Sequence, residues 1–230
     1  MFCRNWKSKL TSSERRRGWV FFFLYVLIFP RLSGWAQKIL MEDADGLVPE
    51  ANVVYYAILF IGVLLLFWSF LKHDFLDLLD WLPENLFGII IGLVGVGVLY
   101  PLLKLLPFPV SDPVPGQYAG QFAVAPLPTV MLVLVLIPVV EEVLFRGLLF
   151  GSLRRYSRPA AYLISIVVYA FSCVWRYALD YGDPRYLLLT VLYLPVSAAL
   201  TWCYDNGGSV WGTAVLHAAI NGAALFFTLP

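Results

Sequence analysis

Three ionisable residues stand together inside an apolar run, in Pro138-Val-Val-Glu141-Glu142-Val-Leu-Phe-Arg146-Gly147. A second polar pair, His217 and Asn221, interrupts another apolar run near the C-terminus. At the centre of a membrane helix each ionisable group costs about 2.5–3.5 kcal/mol on insertion scales, so these positions need an explanation. Helical spacing sorts them. Glu142 and Arg146 are four apart, share a face and can pair. Glu141 is turned by about 100° from Glu142, with no cation three or four residues away. It needs a partner on another helix, a proton or water. His217 and Asn221 are also four apart and line one face. Glu141 facing His217 would make a carboxylate–imidazole site around a polar pocket. Such a site suits hydrolysis. A poorly solvated carboxylate takes a proton from water as general base, while an imidazole polarises the carbonyl or stabilises the oxyanion and an amide donates to the same oxygen. The competing account is packing: a Glu–Glu–Arg cluster that fixes helices, and a His–Asn pair that hydrogen-bonds between them.

The elements that must carry these residues follow from composition. The chain has 230 residues, of which 60% are hydrophobic and 13% charged. Ordinary soluble domains hold roughly 45–50% apolar and 25% charged residues. A span needs about 20 apolar residues, so the apolar content fills roughly seven. That excludes a cytosolic domain, a disordered chain, a small secreted scaffold and a separate soluble catalytic domain. The net charge of +1 gives nucleic-acid binding no electrostatic support. Cys3, Cys173 and Cys203 are far apart and suggest neither a disulfide framework nor a zinc finger. The expected fold is an all-α polytopic membrane protein, a bundle of about seven transmembrane helices plus a short interfacial amphipathic helix.

Residues 1–17 read as a basic cytoplasmic tail carrying Arg4, Lys7, Lys9, Arg15, Arg16 and Arg17. Residues 18–127 hold the N-terminal transmembrane helices and loops. A first helix is expected over 18–40, then an acidic loop from Glu42 to Glu50, and a second span over 51–71. Over 72–85, Asp74, Asp77 and Asp80 recur on one side, with Phe75, Leu76, Leu78, Leu79 and Leu82 on the other, as in a helix lying at the membrane surface. The third span, 86–106, carries Gly88, Gly92, Gly95 and Gly97, small residues that let helices approach. Residues 107–128 read as a Pro-rich loop. Residues 128–228 form the catalytic-type core, with spans over 129–153, 159–178, 185–204 and 209–228. Lys and Arg concentrate on the side of the N-terminal tail, Lys72, Arg154, Arg155 and Arg158, which predicts a cytoplasmic N-terminus.

The core resembles the CAAX-processing and bacteriocin-processing family of intramembrane endopeptidases, the CPBP or Abi proteins, over roughly residues 128–228. The family's EExxxR motif is matched by Glu141-Glu142-Val-Leu-Phe-Arg146, followed by Gly147. Its HxxxN motif is matched by His217-Ala-Ala-Ile-Asn221, preceded by Gly208-Ser209-Val-Trp211. The intervening FxxxH motif departs. It falls on Tyr169-x3-Cys173 in one register or Phe171-x3-Trp175 in another, so Cys173 or Trp175 stands where the family has histidine. The resemblance implies a helical membrane protease that cleaves peptide bonds near the membrane. Glu141 would be the general base. Glu142 and Arg146 would orient it, and His217 and Asn221 would bind water or oxyanion. In the family the second-motif histidine helps the first glutamate activate water.

The expected partners are the lipid bilayer and a hydrophobic or membrane-proximal peptide substrate, with no nucleic acid. The cofactor stays open: a glutamate protease needs none, and a divalent metal such as zinc is the other possibility, although no HExxH motif is present. Two other functions stay open as well. A catalytically degenerate member would act as a membrane binding or immunity protein, and a transporter would use the charges of 141–146 as an ion path. A transporter predicts broken helices in matching halves, and the clustering of polar residues in the last hundred positions argues against it.

Overall fold

The computed structural model describes residues 8–32, 35 and 49–227. Arg4, Lys7, the stretch after Trp35 and the acidic loop from Glu42 lie outside the described residues. Every element among the described residues is helical. Helix α1 starts at Ser12, earlier than residue 18, and runs through a π-helical turn, Leu24–Ile28, to residue 32. The start has a local cause. Thr11 caps the helix and exchanges hydrogen bonds with Glu14, a capping box that overrides the polarity of the segment. Helix α2 (Pro49–Leu66) and α3 (Trp68–Asp80) meet at 85°. Then come α4 (Leu82–Lys104) and α5 (Pro113–Val124). The long α6 (Pro126–Arg154) follows, and α7 (Arg158–Ser172) breaks at Cys173 and Val174 before the short α8 (Trp175–Asp180). A 3-10 turn (Pro184–Leu189) leads into α9 (Thr190–Gly207), and α10 (Val210–Phe226) closes the bundle.

Among the described residues, four helices are long and apolar enough to cross a membrane: α4, α6, the α7–α8 pair, and α9 with its preceding turn. Counting the bent α2–α3 pair as one span gives five, and α10 is a shorter apolar helix. The protein is a polytopic all-α integral membrane protein.

Two segments differ from expectation. The Pro-rich stretch contains a helix, α5, because Asp112 accepts from the Val114 amide as N-cap and Pro113 sits in the first turn, where its missing N–H is harmless. The aspartate stripe of α3 turns inward at Asp74, while Asp77 is half-buried and Asp80 exposed. Asp74 is fully buried and pairs with Lys9 at 2.7 Å, while Phe75, Leu76 and Leu79 point outward. In a membrane protein the apolar side faces out and the polar side seeks partners within the protein. Asp74 also accepts from the Val210 amide and the Ser209 hydroxyl, so it caps α10. Lys9 further bonds Asp77 and the Gly208 carbonyl. Nearby, Arg154 and Arg158 both pair with buried Asp205, which gathers these cations at one end of the bundle.

Helix α6 runs through the centre. Helix α1 lies antiparallel along it, with Gly18 against Leu148, Phe22 on Phe145 and Tyr25 at Glu141. Helix α9 packs against both α4 and α7, and α10 fits between α4 and α6. Gly207 and Gly212 leave room for Asn85, whose amide donates to the carbonyls of Trp81 and Gly207 and ties α4 to the α9–α10 turn.

Candidate active site

Helix α6 is not α-helical throughout: an α-helical stretch, Ile137–Glu142, carries both glutamates between two distorted segments, and Arg146 lies in the second of these. Residues Leu132–Leu136 and Val143–Phe150 are π-helical. The first distortion has a readable cause. The Ile137 amide bonds the Leu132 carbonyl, five residues back. In that register the Val133 carbonyl would need the N–H of residue 138, and Pro138 has none. The Asn221 side-chain amide donates to Val133 O instead, at 3.1 Å. Asn221 is therefore anchored across the α6–α10 interface, with the rest of its amide at a cavity.

The two adjacent glutamates have separate environments. Glu142 is fully buried, and its Oε1 accepts from Arg146 Nη1 at 3.1 Å and pairs with His217 Nδ1 at 2.8 Å. Arg146, also fully buried, donates to Ser197 O and Oγ at 3.2 and 3.3 Å, and its guanidinium lies 4.2 Å from the Tyr169 ring centre. The Glu142 carboxylate can only accept, so Nδ1 of His217 carries a proton there. The opposite nitrogen, Nε2, lies 3.3 Å from the Tyr169 hydroxyl and 4.0 Å from Glu141 Oε2. Glu141 keeps some side-chain exposure, and its Oε1 accepts from the Tyr25 hydroxyl at 2.9 Å.

These groups open on a cavity of about 680 Å³. Glu141, His217 and Asn221 contribute to its wall; Glu142 and Arg146 stand behind it. The remaining wall is amphipathic and rich in tyrosine, including Tyr25, Tyr55, Tyr56, Tyr118 and Tyr169. Toward α5 the wall is tied by hydrogen bonds from Tyr193 to Asp112 at 2.9 Å and from Tyr177 to Gln117 at 3.0 Å. Cys173 and Trp175 both line the cavity, whereas Phe171 faces outward. The register Tyr169-x3-Cys173 is thus the one whose two members both meet the site.

The structure brings Glu141, Glu142, Arg146, His217 and Asn221 to one place and puts Cys173 and Trp175 on the same cavity wall. Sequence reasoning missed Tyr25, the Tyr169 hydroxyl and Ser197. Tyr25 is the one polar-tipped side chain within Val20–Phe29, a weak signal in so aromatic a chain. The donor set does not suit a metal: among the described residues no three His, Cys, Asp or Glu side chains gather as ligands, and the histidine and Glu142 here are already bound to each other. What the arrangement offers chemically is a cavity-facing carboxylate, an imidazole with its outer nitrogen toward that carboxylate, and hydroxyl and amide groups around them.

Comparison with known proteins bears on this region. Residues 123–223 match the family model of type II CAAX prenyl endopeptidase Rce1-like proteins. A relative, the UPF0177 protein YxdF of Lactococcus lactis subsp. lactis, is 28% identical over 151 residues, covering 66% of this chain and 77% of that protein. No solved structure matches.

Proposed function

For a chain that belongs, through residues 123–223, to the Rce1-like CAAX endopeptidase family, we propose that it is a membrane-embedded endopeptidase hydrolysing peptide bonds near the membrane. The observation that carries this reading is the 4.0 Å gap between Glu141 Oε2 and His217 Nε2, at the wall of a cavity large enough for a peptide segment. The gap is too long for a direct hydrogen bond and fits one bridging water. In the proposed step the water oxygen bonds to the carbonyl carbon and one water proton passes to Glu141. The C–N bond then breaks, and the same proton goes to the leaving amine. Asn221, held by Val133 O, stabilises the oxyanion, while the unprotonated His217 Nε2 faces the water. Glu142 and Arg146 act behind the cavity by fixing the imidazole. The substrate is a hydrophobic or membrane-proximal peptide, matched to an amphipathic wall inside the bilayer.

One observation favours a second reading, a binding or immunity protein that does not cut. Cys173 stands at the cavity where the resembling family has a histidine. Cleavage of a membrane-proximal peptide by the purified chain separates the two. The endopeptidase reading expects turnover that Glu141→Ala or His217→Ala abolishes with the fold retained. Turnover unchanged in either variant contradicts it. Peptide binding without turnover in the unaltered protein selects the second reading.

A further inference from the structure

The buried hydroxyl nearest the reacting gap belongs to Tyr169. Its side chain is 3% exposed, lines the cavity, and is clamped on both faces of its environment: Arg146 lies over the ring, and Phe145 meets it edge-on at 5.0 Å. The hydroxyl is 3.3 Å from His217 Nε2. Cys173 sits one helical turn further, where α7 breaks, and no hydrogen bond joins its thiol to Glu141 or His217. A thiol is in any case a weak donor and acceptor.

From this geometry we infer that the Tyr169 hydroxyl, and not Cys173, is the third group that holds and orients the nucleophilic water between Glu141 and His217. The inference rests on the endopeptidase reading and adds to it a residue specific to this chain. A water in the 4.0 Å gap gives one hydrogen to Glu141 Oε2. The phenolic oxygen accepts a hydrogen bond from its other hydrogen and donates its own hydrogen bond to His217 Nε2, whose partner Nδ1–H is already committed to Glu142. Both hydrogens of the water are then directed, and its free lone pair points into the cavity toward the scissile carbonyl. Tyr169 takes no net proton in the step: the proton released by attack goes to Glu141 and on to the leaving amine. The ring clamp matters because a water-orienting group gains from a fixed position, and a tyrosine between a guanidinium and an aromatic edge cannot swing away.

The test is steady-state cleavage of a quenched-fluorescent peptide with an apolar membrane-proximal segment, by the full chain in detergent micelles, with thermal unfolding measured on every variant. Tyr169→Phe removes one oxygen and keeps the ring. It is expected to lower kcat about 100-fold, the usual scale for one positioned polar group, with KM within about threefold because the cavity wall is preserved. Cys173→Ala alters the cavity wall but keeps the hydroxyl, and is expected to lose at least about tenfold less kcat than Tyr169→Phe. The double substitution Tyr169→Phe with Cys173→His offers an imidazole one turn away and is expected to recover at least about tenfold over Tyr169→Phe alone. An unchanged kcat in Tyr169→Phe, or an equal loss in Cys173→Ala, overturns the assignment while leaving Glu141 as base. A kcat loss that tracks lost thermal stability and is not recovered in the double variant reassigns the hydroxyl to packing and also overturns it. No cleavage by the unaltered chain removes the endopeptidase reading itself, and this inference with it.

Discussion

Helices α4 and α6 are both strongly apolar and both long enough to cross a membrane, yet only 17% of the apolar window of α4 is buried, against 61% for α6. Helix α4 has no charged residue between Glu84 and Lys104; α6 carries Glu141, Glu142 and Arg146 in its interior. The difference teaches what each kind of residue demands. An apolar side chain is satisfied by lipid or by protein, so it does not fix which way a helix faces. A carboxylate or guanidinium is satisfied only by partners, so a helix that carries several must be surrounded. Helix α6 is surrounded by α1, α7, α9 and α10, and each supplies one such partner: Tyr25, Tyr169, Ser197 and His217. Helix α4 is positioned by what it lacks. Gly88 and Gly92 admit Cys203 and Leu216 against its backbone.

That contrast can be broken in graded ways. The largest loss of stability is expected for Glu142→Ala, which leaves Arg146 buried beside His217 without its carboxylate. Removing one partner of a buried ion pair costs about 3–5 kcal/mol, read as a large drop in the thermal unfolding midpoint in detergent. A drop no larger than that of an exposed-site control would mean that α6 is not held by its charges. A middle effect is expected at the α4 contact. In Gly212→Ala the new methyl would collide with the Asn85 side chain, which is buried and held by two hydrogen bonds. Overpacking of this kind costs about 1–3 kcal/mol, and unchanged stability would show that the α4–α10 contact is loose. The smallest effect, of opposite sign, is expected for Gly95→Ala. Nothing lies within 4 Å of a methyl placed there, and replacing a mid-helix glycine gains about 0.5–1 kcal/mol. Destabilisation by Gly95→Ala would point to a helix partner at that face.

The same contrast explains what was legible beforehand. The residues of the site stood out because charges are rare in so apolar a background, and their helical phase separated Glu141 from Glu142. The partner of each did not follow from sequence, because two neighbouring carboxylates look alike until other helices are placed. His217 hydrogen-bonds Glu142 and only approaches Glu141. The role of Asn221 was also hidden, since it depends on a π-turn ending at Pro138 and on one carbonyl that the turn leaves without a backbone donor. Tyr25 belongs to α1, far from the motifs in sequence, and an isolated tyrosine has no periodicity to reveal it. The α3 stripe was legible as a pattern, but its polarity was not: Asp74 looks inward to Lys9 and Ser209. Helix α5 was signalled by Asp112 and Pro113, a cap and a first-turn proline, against the stronger impression left by six prolines between 107 and 128.

We propose a division of labour between adjacent carboxylates, Glu141 for chemistry and Glu142 for architecture. The most direct test measures peptide cleavage and thermal unfolding together for Glu141→Gln and Glu142→Gln. Glu141→Gln is expected to lose turnover by at least about 100-fold and to keep the unfolding midpoint of the unaltered chain. Glu142→Gln should lower that midpoint. Turnover by Glu141→Gln at the rate of the unaltered protein would exclude Glu141 as the general base.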